Sequence, residues 1–260
     1  VSLILRKNHY FLSWYGSWFA RQLKNFNFFF VQDENTKEIL GRLGYKNSVI
    51  SGDTRFDRVF DIKKEDKHFP MIEKFCQDKR IFIAGSSWKE DETLISQALQ
   101  DTDMKIILAP HLIDKGHIDF IMNLFPNSVL YSQLTEENAE ESNVLIIDCI
   151  GILAYLYRYA FVSYIGGGFG VGIHNILEAA IFAEPVCFGT NYKNFKEAVD
   201  LVALGGAKVI DCPATLKNHV ENLEKDEVYL SQIKEINKNY AEKNIGATTK
   251  ILTMTKSYIQ

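Results

Sequence analysis

Short apolar segments alternate with amphipathic segments from about residue 80 to residue 210. The apolar runs predict strands at 80–84, 104–108, 128–131, 144–147, 161–165, 185–188 and 207–210. Amphipathic patterns between most of them predict helices at 89–99, 114–124, 151–158, 174–183 and 194–203. Strands that are apolar throughout are covered on both faces, and strands that alternate with helices run parallel. We therefore predict an α/β fold with a parallel sheet between two layers of helices.

The first 60 residues carry a separate and shorter pattern. Apolar runs predict strands at 1–5, 28–32 and 48–51. The aromatic-rich stretch 10–30 predicts an amphipathic helix that packs on a core and leads into the second of these strands. A helix lying on a membrane surface is the alternative, which the few basic residues disfavour. Asp33 is expected to cap a helix that runs to Leu43.

Charged and polar stretches mark both ends of the α/β pattern. Residues 61–68 predict a linker and the start of a helix, which places a domain boundary near residue 60. The polar tail from about residue 226 predicts helix. Because the chain begins abruptly on a strand pattern, we expect it to be a fragment.

Composition narrows the class of protein. The 260 residues are 47% hydrophobic and 24% charged, as in an ordinary soluble globular protein. A formal net charge of −4 and dispersed basic residues predict no nucleic-acid partner. No apolar run approaches the ~18 residues that a membrane-spanning helix needs. The four cysteines form no C-x-x-C pair, so we expect reduced thiols in a cytosolic protein without a zinc site.

The strongest chemical signal is the stretch 166–180, GGGFGVGIHNILEAA, which follows a predicted strand. Glycines expose backbone N–H groups, and a helix beginning near His174 adds the positive end of its dipole. Glu178 can accept hydrogen bonds from a ribose diol. A tight structural turn is the alternative, but five glycines in seven residues exceed what a turn needs. Neither G-x-G-x-x-G nor the Walker pattern fits, so we predict a nucleotide site of another kind.

Three further loops follow predicted strands at the same edge of the sheet, where ligands bind in open α/β folds. Ser86 and Ser87 offer hydroxyls to an anion, or cap the next helix. His111 is placed to meet a phosphate, or is a structural surface histidine. The backbone of residues 150–152 can read the edge of a base, whereas Asp148 is the expected cap of the helix that follows.

In order and spacing, these stretches resemble the 3-deoxy-D-manno-octulosonic acid (Kdo) transferases, which build the inner core of lipopolysaccharide. The glycine-rich stretch resembles the family's G-G-x-x-x-x-x-G-x-H-N-x-L-E-P/A-A signature. Further agreement over essentially the whole chain comes from FVQDENTKEILGRLG, VISGDTRFDRV, IAGSSWKEDE, LAPH, IDCIGILAYLYRYA, EPVCFGTNYKNFKEA and IGATTKI. The GDTRFDRV and YIGGGFG variants resemble the form from Bacteroides-type bacteria.

The resemblance implies a GT-B glycosyltransferase, in which two Rossmann-like domains enclose the active site. Residues 1–57 would be the remnant of the N-terminal acceptor domain, and residues 58–240 the domain that binds the nucleotide-sugar donor. Residues 241–260 would form a C-terminal helix that returns toward the N-terminal domain. The family's proposed general base is a glutamate in a segment that this chain would lack, so the resemblance assigns no catalytic residue here.

The implied reaction moves Kdo from CMP-Kdo to a lipid A precursor with inversion at the anomeric carbon. His111, His174 and Asn175 would contact the phosphate and carboxylate, Glu178 the ribose, and the 150–152 backbone the cytosine. The full set implied to bind the donor is Ser86, Ser87, His111, Ile150, Gly151, Ile152, Gly166, Gly167, Gly168, His174, Asn175 and Glu178.

The resemblance also bears on cofactors and location. We expect no metal ion or other cofactor, because N–H groups would hold the phosphate and because the D-x-D match at 101–103 falls in a turn at the opposite edge of the sheet. The protein is expected at the cytoplasmic face of the inner membrane, through parts outside this chain.

The chain departs from the family in three loops, which affects the phosphate contacts more than the fold. P-R-H is Pro110-His111 here, S-T-H is 86–88 (SSW), and G-E-L is 151–153 (GIL). Three alternatives stand beside the Kdo transferase. They are a UDP-sugar-dependent GT-B glycosyltransferase or sugar-nucleotide epimerase, a nucleotide-binding fragment that is inactive alone, and an NAD(P)-dependent oxidoreductase, which the failed fingerprint disfavours.

Overall fold

A computed structural model describes residues 2–6 and 21–259 of the protein. The strands that it describes are β1 Ser2–Leu3, β2 Phe29–Val31, β3 Ser48–Ile50, β4 Ile81–Ser87, β5 Lys105–Pro110, β6 Ser128–Leu130, β7 Val144–Ile146, β8 Val162–Ile165, β9 Val186–Phe188 and β10 Ala207–Val209. The α-helices are α1 Glu34–Arg42, α2 Thr54–Lys64, α3 Pro70–Cys76, α4 Lys89–Leu99, α5 Lys115–Leu124, α6 Glu136–Glu141, α7 Leu153–Leu156, α8 Leu177–Ala180, α9 Lys196–Leu204, α10 Pro213–Lys225, α11 Glu227–Asn244 and α12 Ala247–Ile259. Single 3-10 turns span Leu23–Asn25, Tyr131–Gln133 and Tyr157–Tyr159.

The chain divides into two compact units. The first comprises Val1–Asp61 and Glu242–Gln260, and the second comprises Ile62–Ala241. The first division falls inside helix α2, which continues to Lys64. The prediction that residues 61–68 form a linker is therefore wrong for residues 61–64, which are helical. Most of the predicted aromatic-rich helix at 10–30 lies outside the described residues.

The first unit contains a parallel sheet in the order β1-β2-β3. Helix α1 follows β2, and the carboxylate of Asp33 accepts the N–H of Thr36 at 2.8 Å, which confirms the predicted cap. Gly44 adopts a φ of 88°, a conformation that suits glycine and ends the helix. The carboxylate of Asp57 accepts the N–H groups of Gly246 and Thr248, each at 2.6 Å, so the start of α12 is fixed to α2.

The second unit contains a seven-stranded parallel sheet in the order β10-β9-β8-β4-β5-β7-β6. All seven strands predicted in this region are present, and the predicted α/β fold with a parallel sheet is confirmed. The core between the sheet and its helices consists of fully or almost fully buried side chains, including Phe82, Ile95, Leu108, Ile121, Ile146, Tyr164, Leu216 and Val220. Each large apolar side chain buried in this way stabilises the fold by about 1.5–3 kcal/mol.

The direction in which the sheet grows reverses between β4 and β8. After β4 the chain adds β5, β6 and β7 on one side, and it then returns to place β8, β9 and β10 on the other side. At such a switch point the loops that follow two adjacent strands diverge and leave a crevice at the carboxyl ends, where ligands bind. The end of β4 carries Ser86 and Ser87, and the loop after β8 carries the glycine-rich stretch.

Two predicted helices are shorter in the structure than the sequence indicated. The predicted helix 151–158 is α7 followed by the 3-10 turn Tyr157–Tyr159. Of the predicted helix 174–183, only α8 is helical. The backbone before it is irregular, because the N–H of Ile173 bonds to the carbonyl of Asn191 and the N–H of His174 bonds to the carbonyl of Gly166. The helices predicted at 89–99, 114–124 and 194–203 are confirmed as α4, α5 and α9.

Two properties predicted from composition can be compared with the structure. All four cysteines are free thiols, with Cys76 and Cys187 buried, Cys149 half-buried and Cys212 exposed. Over the described residues, no helix combines the length and the hydrophobicity that crossing a bilayer requires.

Candidate functional site

The glycine-rich loop after β8 packs closely against the end of β4 and against the loop that follows β9. A methyl group added to Gly166 would lie 2.3 Å from the carbonyl oxygen of Ser86, and one added to Gly168 would lie 2.5 Å from Cα of Gly189. Gly167 has a φ of 89°, which disfavours any side chain. By contrast, a methyl group on Gly170 would meet nothing within 4 Å. Three consecutive glycines are therefore required for the loop to pack at the switch point.

The first two N–H groups of this loop are already occupied. Gly166 N–H donates to the carbonyl of Gly85 at 2.9 Å, and Gly167 N–H donates to Asp91 at 2.8 Å. This corrects the prediction that Gly166 and Gly167 offer free N–H groups to a phosphate. Within the described part of the chain, the N–H groups of Gly168 and Phe169 have no acceptor, so any anion contact from this loop begins at Gly168.

Asp91, which was not among the predicted site residues, holds the glycine-rich loop in place through buried hydrogen bonds. Its carboxylate accepts three hydrogen bonds, from Tyr164 Oη at 2.7 Å, Gly167 N at 2.8 Å and Trp88 N at 2.9 Å. The side chain is buried, and burial raises the pKa of the Asp91 carboxyl although these hydrogen bonds oppose that shift. Asp91 thus ties the start of α4, strand β8 and the glycine-rich loop together.

The two serines that were predicted to lie in a loop belong to the end of strand β4. Strand β4 extends through Ser87, with a shift in pairing between Gly85 and Ser87 and a φ of 53° at Ser86. Ser87 is buried, and its hydroxyl donates to Glu92 at 2.8 Å. Neither serine caps α4, because Asp91 accepts the N–H of Trp88 there. The Ser87 hydroxyl is therefore removed from the predicted anion contacts.

Below Ser87 lies a buried polar pair on α4 and α5. Glu92 Oε2 lies 2.7 Å from His117 Nε2, and the two side chains are 0% and 3% exposed. Burial raises the pKa of the Glu92 carboxyl, against the opposing effect of His117. The arrangement Ser87–Glu92–His117 places the carboxylate in the middle, so the histidine does not contact the hydroxyl and cannot activate it as a nucleophile.

Trp88, His111 and His174 form a stack of rings at the carboxyl edge of the sheet. The ring centroids of Trp88 and His111 are 4.7 Å apart, and those of His111 and His174 are 4.5 Å apart. Trp88 Nε1 donates a hydrogen bond to His174 Nε2 at 3.1 Å. Burial, and secondarily the proximity of His111, lower the pKa of His174. The structure therefore brings together two predicted site residues, His111 and His174. It adds Trp88, which the sequence identified only as a difference from the family's S-T-H motif.

Asn175 and Glu178 are also brought together. Asn175 Nδ2 donates to Glu178 Oε1 at 2.9 Å, and Asn175 Oδ1 accepts the N–H of Leu177 at 3.3 Å. Among the described residues, the second carboxylate oxygen of Glu178 has no partner. Asn175 thus accepts the N–H of the first residue of α8 and holds one carboxylate oxygen of Glu178, which leaves the other oxygen to accept from a ligand.

Tyr157 is a second residue that the sequence analysis missed. Its ring is buried, and its hydroxyl lies where a methyl group on Gly85 would stand, at 1.9 Å. Burial, and then the charge of Glu178, raise the pKa of the Tyr157 hydroxyl. The 3-10 turn after α7 therefore supplies a phenol beside the end of β4.

The loop between β7 and α7 holds the three residues predicted to read a base. Ile150 is 88% exposed, unusual for a large apolar side chain, and Gly151 has a φ of 96°. The carbonyl of Ile152 accepts the N–H of Tyr155 at 2.9 Å, which leaves the backbone of Ile150 and Gly151 without partners among the described residues. The predicted cap role of Asp148 is wrong, because its carboxylate accepts from the N–H of Ser132 at 3.0 Å and from the Ser132 hydroxyl.

Comparison with known proteins adds an independent observation. No family model matches the chain. The 3-deoxy-D-manno-octulosonic acid transferase of Rickettsia bellii is 25% identical over 246 residues, which is 92% of this chain and 57% of that protein. The enzymes of the same name from Rickettsia prowazekii and Chlamydia muridarum are 28% and 27% identical over 64% and 59% of this chain. The chain is similar to Kdo transferases.

Solved structures agree on the fold. The C-terminal CMP-Kdo binding domain of WaaA from Acinetobacter baumannii matches with a TM-score of 0.54 and 19% identity, over 70% of this chain and 96% of that domain. MnaA from S. aureus with UDP matches with a TM-score of 0.63 and 17% identity, over 90% of this chain and 61% of that one. Against its curated relatives, the chain spans 57% or less of their length.

Proposed function

We propose that this chain is the donor-binding part of a Kdo transferase that moves Kdo from CMP-Kdo to a lipid A precursor with inversion. The observation that carries the proposal is the similarity to enzymes of that name along 92% of the chain. The match to a CMP-Kdo binding domain, of which 96% is covered, agrees with this proposal at the level of the fold.

The charged part of the donor is assigned to the ring stack and the glycine-rich loop. As the bond to Kdo breaks, negative charge develops on the phosphate of the leaving CMP. Donors held in place beforehand stabilise that charge more than they stabilise the bound substrate. We assign this role to the N–H of Gly168, with His111, His174 and Asn175, all of which lie in loops at the carboxyl edge. Gly166, Gly167 and Ser87 shape this edge of the sheet without offering the contacts predicted for them. Ser86 keeps its predicted contact with the anion as part of the proposal.

The nucleoside is assigned to Glu178 and to residues 150–152. A ribose diol has two hydroxyl donors, and Glu178 retains one carboxylate oxygen for them while Asn175 holds the other at 2.9 Å. The unpartnered N–H and C=O groups of Ile150 and Gly151 suit the mixed donors and acceptors on a base edge. The exposed side chain of Ile150 offers an apolar surface to the face of the ring.

The proposal also covers the acceptor and the place of the reaction, to which no residue of the donor site is assigned. We propose a lipid A precursor as the acceptor and the cytoplasmic face of the inner membrane as the place of action, on the resemblance of the sequence motifs to the Kdo transferase family. The Bacteroides-type assignment also belongs here, carried by the GDTRFDRV and YIGGGFG variants alone. No residue of this chain is assigned as the general base.

A UDP-sugar enzyme is the second candidate, and one observation favours it. The TM-scores of 0.63 and 0.61 to MnaA with UDP and to a UDP-N-acetylglucosamine 2-epimerase exceed the 0.54 to the CMP-Kdo binding domain. The similarity in sequence to Kdo transferases outweighs this, because at 17% and 14% identity these two structures carry information on the fold alone.

The transfer reaction tests the proposal. A full-length protein that contains this chain is incubated with CMP-Kdo and a lipid A precursor, and both the release of CMP and the mass of the lipid are followed. We expect one CMP for each Kdo added. Turnover of a UDP-sugar with no consumption of CMP-Kdo would establish the second candidate instead.

A further inference from the structure

The hydrogen bond between Trp88 and His174 defines which ring nitrogen of His174 carries the proton. An indole N–H can only donate, so the nitrogen that faces it must be an acceptor. Trp88 Nε1 lies 3.1 Å from His174 Nε2. His174 Nε2 therefore bears no hydrogen, and the neutral ring carries its hydrogen on Nδ1.

We infer that Trp88 is a positioning residue that holds His174 as the neutral Nδ1–H tautomer. The indole is itself fixed, because the backbone N–H of Trp88 donates to Asp91 at 2.9 Å and its ring stacks on His111. His174 is thus presented with one free N–H donor and no net charge. Trp88, which differs from the histidine of the family's S-T-H motif, therefore has a specific role: its indole N–H positions His174.

The surroundings of His174 favour the neutral ring. A proton on Nε2 would face the indole N–H, so that two donors would oppose each other. His111, from the loop after β5, stacks on the ring at 4.5 Å, and its proximity lowers the pKa of His174. The carboxylate of Asp91 is already engaged, since it accepts from Tyr164, Trp88 and Gly167. Glu178, on the same segment as His174, is held by Asn175.

A consequence for ligand binding follows, and it rests on the proposed function. Within the described residues, Nδ1 of His174 has no hydrogen-bond partner, so this N–H is available to a ligand. A neutral N–H donor can bind a phosphate or carboxylate oxygen and then release the product, because it adds no full positive charge to the site. The inference about the tautomer itself does not depend on the identity of the ligand.

Nuclear magnetic resonance of the histidine rings tests the tautomer directly. The 260-residue chain is labelled with ¹⁵N at histidine, and two-bond ¹H–¹⁵N spectra are recorded across pH. His174→Gln identifies the His174 signals. We expect the protonated-nitrogen shift at Nδ1 and the unprotonated shift at Nε2 near neutral pH. A charged ring or an Nε2–H tautomer in the wild type overturns the inference.

Two variants separate the role of the indole N–H from the role of stacking. Trp88→Phe keeps an aromatic ring but removes the N–H, so the Nε2–H tautomer should become populated and the pKa of His174 should rise. His111→Phe keeps a ring on the stack and leaves the hydrogen bond intact, so the tautomer should stay Nδ1–H. The signals of the buried His117 and His219 report whether each variant is folded. An unchanged tautomer in Trp88→Phe would contradict the assignment.

Binding of CMP to the same proteins distinguishes this inference from the proposed function. If the wild type binds CMP, Trp88→Phe should weaken binding by about five-fold, the effect of one misdirected hydrogen bond. If the wild type shows the expected tautomer but does not bind CMP, the proposed donor is wrong and the role of Trp88 stands. Equal affinity of wild type and Trp88→Phe for CMP excludes His174 Nδ1–H as a ligand contact.

Discussion

The carboxylate of Asp91 accepts the backbone N–H of Gly167 at 2.8 Å, across 76 positions of sequence. The same oxygen accepts the N–H of Trp88 at 2.9 Å, and the other oxygen accepts the hydroxyl of Tyr164 at 2.7 Å. One buried side chain therefore fixes the relative position of the loops after β4 and β8, which flank the switch point of the sheet. The shape of the site depends on this carboxylate even though it is buried beneath the glycine-rich loop.

Substitution of Asp91 should separate hydrogen bonding from charge. Asp91→Ala leaves the buried N–H of Gly167 and the partly buried N–H of Trp88 without an acceptor, which costs about 2–4 kcal/mol of unfolding free energy. Asp91→Asn should retain most of the stability, because the amide oxygen can still accept both N–H groups and the hydroxyl of Tyr164 can accept from the amide. Urea denaturation followed by circular dichroism measures both. Equal stability of Asp91→Ala and wild type would show that the loop does not need this anchor.

The glycines of the loop should differ sharply in their tolerance of a methyl group. Gly168→Ala places its methyl group 2.5 Å from Cα of Gly189, so two backbones must separate. We expect a loss of about 1–3 kcal/mol in stability, typical of overpacking. Gly170→Ala is the matched control, since nothing lies within 4 Å, and it should change stability by less than about 0.5 kcal/mol.

These two alanine variants also test where the phosphate binds. Displacement of Gly168 moves the first free N–H of the loop, so Gly168→Ala should weaken CMP binding while Gly170→Ala leaves it unchanged. Calorimetric titration of both folded variants gives the comparison. Matching affinities would place the phosphate away from this loop.

Buried His219 should make the second unit sensitive to acid. Burial lowers the pKa of His219 from 6.5 to about 4, and its Nε2 has no partner. Because the folded state favours the neutral ring, the stabilising contribution is complete above pH 6.5 and is lost as the pH falls toward 4. The difference corresponds to about 3 kcal/mol.

A variant that cannot titrate isolates this effect. Unfolding free energies of wild type and His219→Leu are measured by urea denaturation at pH 7 and pH 4.5. We expect the wild type to lose more stability than the variant between these two values, although carboxylate protonation affects both. An identical loss in the two proteins would contradict the depressed pKa.

The exposed side chain of Ile150 should contribute to binding of the cytosine base but not to the stability of the fold. The side chain is 88% exposed, so Ile150→Ser should change the free energy of unfolding by less than about 0.5 kcal/mol. Loss of its apolar contact with the base should weaken CMP binding by about five-fold. Val228→Ser is the control, because Val228 is 67% exposed on α11, which contributes no site residue. An equal effect of both substitutions on CMP affinity would remove Ile150 from the base site.

The sequence was informative where local pattern determines structure. Short apolar runs predicted the seven strands of the large sheet. In an inner strand such as β7, which is buried throughout, burial on both faces requires apolar residues. Asp33 predicted its helix start because a cap acts over three residues. Placement of the loops at one edge followed from the parallel topology, which brings the carboxyl ends of strands together.

The remaining features depend on contacts between distant residues. Asp91 and Tyr164 are 73 positions apart, and Trp88 and His174 are 86 apart, so no local pattern could pair them. The glycine-rich loop indicated free N–H groups, yet Gly167 donates to the buried Asp91. The sequence signal for this contact was an acidic residue, Asp91, shortly after a predicted strand. Acidic residues are also common in the exposed first turn of an ordinary helix, so this signal did not identify the contact.

Calorimetric titration of the chain with CMP, UMP, UDP and NAD tests the central claim most directly. Glu178→Ala is titrated in parallel, because its free carboxylate oxygen is assigned to the ribose, and Val228→Ser serves as the surface control. The account predicts that CMP binds more tightly than UMP, UDP or NAD, and that Glu178→Ala weakens CMP binding by about ten-fold, as expected for hydrogen bonds to a charged group. Tighter binding of UDP than of CMP, or a CMP affinity that Glu178→Ala leaves unchanged, would contradict it.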